Sequence, residues 1–144
     1  MADTSKGFRF VGRKSGGTPT IQNIVCAATA TLTAGDMVYL SSGQLVLGAT
    51  NQSTMLGVCL ETKAGTAGVT KYRVIVDSDA IYAVYDNNAR TKDTALDLSG
   101  ATGAQTVTTD TNDDFVVFAT KQNASDPTLV CFNVGVHIDT VNQT

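Results

Sequence analysis

The stretch TKYRVIVDSDAIYAVYD, residues 70–86, decides the fold class. Tyr72, Val74 and Val76 alternate with Lys71, Arg73 and Ile75, the spacing of a half-buried strand rather than a helix. Asp77-Ser78-Asp79 then turns the chain, because short polar side chains bond their own backbone there. Residues 80–85 resume as a second strand with Ile81 and Tyr82 at its centre.

The same reading extends in both directions. Upstream, residues 21–27 and 30–33 predict strands, and Ala34-Gly35-Asp36 predicts a turn. Residues 37–40 and 44–47 flank Ser41-Ser42-Gly43 as a β-hairpin. Residues 55–60 form the next strand, in which Gly57 marks a bulge or a close backbone approach. Residues 63–69 read as a loop of small side chains. Downstream, residues 86–109 are less regular: Asn88 to Lys92 suits a single helical turn, and Leu96 and Leu98 alternate with Asp97. Residues 115–120 and 129–136 are apolar, β-rich runs joined by the loop KQNASDP. Nine or ten short antiparallel strands predict an all-β body over 20–144, a β-barrel, a β-tulip-like fold or a sandwich. No sequence repeat of fixed period is visible.

Residues 1–19 read differently, as an extended N-terminal arm. Lys6, Arg9, Arg13 and Lys14 stand against Asp3 alone, a net of +3 on a chain whose total is −3, so residues 20–144 carry −6. Gly16-Gly17 and Pro19 break any helix, and Phe8 and Phe10 lie opposite Arg9 in an extended segment. The expectation is an arm that is mobile in the free protein and ordered on a partner. Phe8 and Phe10 would anchor it, with Lys6, Arg9, Arg13 and Lys14 meeting carboxylates.

The charge balance and a pI near 4.8 argue against general nucleic-acid binding, and four cations on an acidic body are weak electrostatics for it. No run approaches the roughly 20 apolar residues of a membrane helix, so no membrane partner is expected. Cys26, Cys59 and Cys131 are odd in number, widely spaced and set in apolar runs. That pattern fits buried thiols rather than a disulfide framework or a metal motif. With no signal-peptide pattern, it fits a reducing compartment.

Groups with chemical potential have plainer structural roles. Asp77 and Asp79 satisfy a turn without further help. Asp110, Asp113 and Asp114 lack the ligand order and sixth-position glycine of an EF-hand loop. His137, followed by Asp139, has no nucleophile motif beside it. The glycine-rich stretches at 16–17, 65–68 and 100–103 form neither a P-loop nor a dinucleotide fingerprint. The expectation is therefore no enzyme, no cofactor, no metal and no small-molecule substrate.

Two stretches carry a family likeness, ATATLTAGDMVYLSSGQLVLGATNQSTMLGVCLETKAGTAG at 28–68 and KYRVIVDSDAIYAVYD at 71–86. The Ala-Gly-Asp turn leads into a strand, a Gly-Gln-Leu hairpin follows, and Leu56-Gly57-Val58 precedes a glycine-rich loop. LDLSGATGAQ and FVVFATKQNASDPTLVCFNVGV suit two closing strands. Together, over roughly residues 20–140, they resemble the capsid decoration, or cement, proteins of tailed bacteriophages. The likeness implies a β-barrel or β-tulip-like body and a homotrimer at three-fold positions. It also implies an arm reaching across the major capsid protein, and residence on the outer surface of a virion assembled in the host cytoplasm. The alternatives are another β-rich virion component, of head-fibre or tail-tube type, and a small carbohydrate- or protein-binding module. The absence of Trp argues against a carbohydrate platform. All three thiols should react with a thiol reagent only after denaturation. Fast stoichiometric labelling of the native protein, or a shift on a non-reducing gel, would contradict this.

Overall fold

The computed structural model of the chain describes residues 7–49, 54–109, 113–133 and 135–137. Among these the fold is all-β and without helix. Thirteen strands run β1 (Phe8–Arg13), β2 (Ile21–Val25), β3 (Thr31–Leu32), β4 (Met37–Ser41), β5 (Gln44–Leu47), β6 (Gly57–Val58) and β7 (Lys63–Ala64). They continue as β8 (Lys71–Ile75), β9 (Ala80–Val84), β10 (Ala95–Ser99), β11 (Thr106–Thr108), β12 (Phe115–Val117) and β13 (Thr128–Phe132).

An antiparallel six-stranded sheet has the order β1-β9-β13-β12-β10-β11, and a second sheet has the order β5-β4-β6. The pairs β2-β8 and β3-β7 complete the body. None of these sheets closes on itself, so the domain is sandwich-like and not the closed barrel that was the other expectation. The expected hairpin is present, with Ser41 opposite Gln44 and positive φ at Ser42 (52°) and Gly43 (77°). Those two left-handed residues are what a tight two-residue turn requires.

Two apolar clusters lie on either side of β4 and β6. One joins Phe8, Tyr82, Leu96, Phe115 and Phe132 of the large sheet to Met37, Val58 and Ile75. The other joins Val38, Leu45, Leu56 and Cys59 to Ile24, Tyr72 and Val74. Met37 and Val38 are consecutive yet enter opposite clusters, since successive side chains of a strand point to opposite faces. At Met37–Val38 and Val58–Cys59 the middle sheet is thus buried on both sides, while its hairpin end is half-buried to exposed. There is no space for a side chain at Gly57, where an added Cβ would stand 1.7 Å from the Ile75 carbonyl oxygen. The glycine therefore marks a close backbone approach, one of its two expected roles.

Three expectations need correction. The arm is not free over residues 8–13, which form β1 and pair with β9 from Phe8–Val84 to Arg13–Ala80, with a register shift between Phe10 and Gly12. Its residues satisfy a sheet edge and a core at once, so folding onto the body wins over solvation. No helical turn forms at Asn88 to Lys92. There Arg90 pairs with the Asp86 carboxylate, and Lys121 Nζ donates to the carbonyl oxygens of Asp86, Asn88 (2.8 Å) and Ala124 (3.1 Å). A lysine thus takes carbonyls that a helix would have paired internally. Residues 63–69 are not all loop, because β7 pairs with β3.

Phe8 is 2% exposed and its ring centroid lies 5.3 Å from that of Phe115 and 6.4 Å from that of Tyr82. Phe8→Ala should cost about 3–5 kcal/mol of stability in a denaturant titration, the usual range for truncating a buried aromatic. Half-buried Phe10→Ala should cost clearly less. Equal, small losses at both positions would show that β1 is not part of the cooperative core.

Candidate partner-binding surface

The partner-binding residues expected on the arm separate into distinct environments. Lys6 lies outside the described residues. Phe8 is consumed by the core, and Phe10 packs edge-on to Tyr82 at 6.2 Å. Arg13 Nε donates to Asp79 Oδ1 at 2.8 Å and lies 3.6 Å from Asp77 Oδ1. Ser15 N–H donates to Asp79 at 3.2 Å, and Thr20 N–H to Asp77 at 2.7 Å. The Asp77–Asp79 turn is therefore also the receptor for the basic strand. The hydrogen bond from Arg13 holds the Asp79 carboxyl down at about 2. The attraction between the basic arm and acidic body is met within the chain, at this clamp. Among the described candidates, only Arg9 and Lys14 keep exposed positions.

Alternation divides the large sheet into two unlike faces. The core face carries Phe8, Tyr82 and Val130 together with Phe132, Phe115 and Leu96. On the opposite face, register aligns Arg9–Ala83–Leu129 in one cross-strand row and Cys131–Val116–Ala95 in another. Ile81, Ala83 and Cys131 are buried although they belong to neither apolar cluster. Beside them a groove of about 300 Å³ is lined by Val116, Phe118, Cys131 and Asn133, with Lys14, Lys92 and Asp93 at its rim. Lys92 and Asp93 are exposed and paired at 3.3 Å. A groove of about 290 Å³ runs beside β1, between Phe8–Phe10 and Val58–Leu60. A third, of about 220 Å³, lies among Cys26, Leu32, Leu45 and Leu47.

Titratable groups elsewhere are structural in placement. No group of three or more His, Cys, Asp or Glu is arranged to hold a metal ion among the described residues. The three cysteines are buried and unpaired. Burial pushes the Cys59 thiol up to about 11; the thiol donates to the Glu61 carbonyl oxygen at 3.1 Å. His137 is half-buried, with its ring centroid 5.2 Å from that of Phe132. Asp110 and Asp139 lie outside the described residues.

Sequence reasoning missed two buried carboxylates in the acidic stretch. Alternation placed Asp97 away from Leu96 and Leu98, as found, but the residue is fully buried and accepts from the Asp113 N–H. Asp114 is also fully buried. Its Oδ2 accepts from Leu98 N–H at 3.2 Å, and its Oδ1 has no hydrogen-bond partner among the described residues. Burial, with the like charges of Asp97 and Asp113, raises Asp114 to about 6 despite the Leu98 bond.

Comparison with known proteins gives no matching family model and no matching curated protein.

The Asp114 shift fixes the sign of a pH effect. A carboxyl raised from 3.8 to about 6 binds its proton more tightly in the folded state. Stability should therefore fall as pH rises through about 4 to 6, by up to about 3 kcal/mol from this group. Asp114→Asn keeps the acceptor for Leu98 and should flatten that part of the profile in urea titrations. An unchanged slope in the variant would assign the effect elsewhere.

Proposed function

We propose that this chain is a structural protein that binds the outer surface of a tailed-phage capsid and ties neighbouring major capsid subunits together. The observation that carries the proposal is where the family likeness falls. The Ala34-Gly35-Asp36 turn, the β4–β5 hairpin and the Leu56-Gly57-Val58 segment build the middle sheet, whose β4 start and β6 lie between the two apolar clusters. The likeness thus follows the residues on which the body's rigidity depends.

A cement protein has to resist separation of the subunits it bridges, which favours a stiff β body over a hinged one. Several weak contacts displayed on one rigid unit, and more so on a homotrimer, reinforce one another through effective concentration. Within this reading, Arg9 and Lys14 face the shell, while Phe8 and Arg13 hold β1 in the shape that presents them.

The test uses shells assembled from the major capsid protein encoded in the same genome. The full-length chain should co-sediment with the shells, appear as regular outer protrusions by negative-stain microscopy, and raise the temperature at which the shells rupture. Failure to decorate at any concentration, or decoration of tails alone, would reject the proposal. Light scattering of the free and shell-bound protein tests the trimer separately.

A further inference from the structure

We propose that the outer edge of β2 pairs with the same edge of a second copy of this chain, about a two-fold axis at Gln22. The contact lies outside the capsid reading and does not depend on it. Cys26 N–H donates to the Thr70 carbonyl and Val76 N–H to the Thr20 carbonyl, at 2.9 and 3.0 Å. Those bonds continue the β2–β8 register, Ile21–Ile75 through Val25–Lys71, at both ends. They fix its phase: Gln22 and Ile24 turn their backbone groups toward β8, and Ile21 and Asn23 turn theirs away. The outward N–H and C=O of Ile21 and Asn23 have no hydrogen bond among the described residues. Both residues are exposed, Ile21 at 44%, so no described segment covers this stretch. Two other edges are guarded. β1 carries Arg9, Arg13 and the register shift before Gly12. On the outer edge of β8, Leu60 N–H donates to the Arg73 carbonyl (2.9 Å), Arg73 N–H to Glu61 (2.8 Å) and Lys63 Nζ to the Lys71 carbonyl (3.0 Å). β2, IQNIV, has no charge, proline or bulge, the devices that keep strand edges apart.

Self-pairing satisfies this edge. In an antiparallel pair centred on Gln22, Ile21 lies opposite the partner's Asn23 and Asn23 opposite the partner's Ile21, and their mutual hydrogen bonds use all the open groups. The window is bounded on both sides. The Cys26–Leu45 bridge and the bond from Ala27 N–H to the Leu45 carbonyl (2.9 Å) close the edge beyond Val25, and Pro19, without an N–H, precedes β2. A centre at Ile21 would set Asn23 against Pro19, and a centre at Asn23 would set Ile21 against Val25 beside that bridge. Gln22 is the centre that fits. Its half-buried side chain meets its twin across the axis, and each amide carries both donors and an acceptor for the other. Charge does not oppose the pairing. Lys71 and Arg73 stand on β8, where Glu61 pairs with Arg73 (3.7 Å) and Lys63 (3.3 Å), and Asp77 is buried against Arg13. The two β8 strands would lie three strand spacings apart, about 14 Å, beyond the screening length of about 8 Å at physiological salt. So short an edge is below the size of a stable interface, so the contact is weak in dilute protein and gains where copies are crowded.

The experiment is Gln22→Cys in the full-length chain, oxidised with copper phenanthroline at high protein concentration and read on a non-reducing gel. The central pair of such a ladder is non-hydrogen-bonded, with Cα atoms about 4.5 Å apart, inside the range a disulfide spans. The native cysteines are buried. A covalent dimer should form at least about ten-fold faster than from Val69→Cys, at a 69% exposed loop position that sets the rate of random collision. Asn23→Cys, offset from its twin in this register, should stay near the Val69→Cys rate. Adding Asn23→Pro to Gln22→Cys removes an outward N–H without touching a bond to β8, and should abolish the fast cross-link. Asn23→Lys, a charged edge residue, serves if circular dichroism shows that the proline variant misfolds. Cross-linking at Gln22 no faster than at Asn23 or Val69 overturns the inference. So does fast cross-linking that survives the Asn23 variants. Neither result bears on shell binding, which stands or falls by co-sedimentation.

Discussion

A sheet buried on both sides has no water on which to discharge its polar groups, and the rest of this structure follows from how that is solved. Gln105, fully buried, accepts from Met37 N–H and donates to the carbonyl oxygens of Met37 (3.3 Å) and Gly48 (3.0 Å). Asp36, equally buried, accepts from Thr33 N–H (2.8 Å), Thr102 Oγ1 (2.6 Å) and Gly103 N–H (2.9 Å). Two side chains thereby sew the entry of β4 to the loop between β10 and β11. Each bond satisfies a group whose loss would cost about 1–3 kcal/mol in such surroundings. Met37 and Val38 can then face opposite clusters without leaving an orphaned donor between them.

The closure of β1 depends on that seam. Gly7 N–H donates to the Gln105 carbonyl and Phe8 N–H to the Gly35 carbonyl, at 2.9 and 2.8 Å. Phe8 is thus delivered into the aromatic group of Tyr82, Phe115 and Phe132. At the other end of the strand, Arg13 meets the Asp77–Asp79 turn. A charged strand is held by hydrogen bonds at its start, aromatic packing along its core face and an ion pair at its finish. Arg9 and Lys14 of the same segment remain exposed.

This division of labour relates structure to the proposed role. The polar side chains with most partners are internal and structural. Asp97 and Asp114 fit the same pattern: carboxylates enclosed beside β10, a source of pH-dependent stability rather than a ligand set.

Strand identity and turns were legible from the sequence, because both depend on near neighbours. The alternation of Tyr72, Val74 and Val76, the Ser42-Gly43 turn and the tight site at Gly57 all express local rules of backbone and periodicity. The apolar runs FVVF and LVCF were legible as strands, although the local pattern cannot say what covers each of their faces. The partners were decided only by tertiary structure. Nothing local to Phe8 or Arg13 reveals that β9 and the Asp77–Asp79 turn await them, so the basic segment read as an arm reaching outward. Likewise, Asp97 reads as a residue facing away from Leu96 and Leu98, and Asp114 as a loop acid, and only the fold shows both fully buried. Periodicity is written in neighbouring residues; strand partners and the burial of charge arise from contacts across dozens of positions.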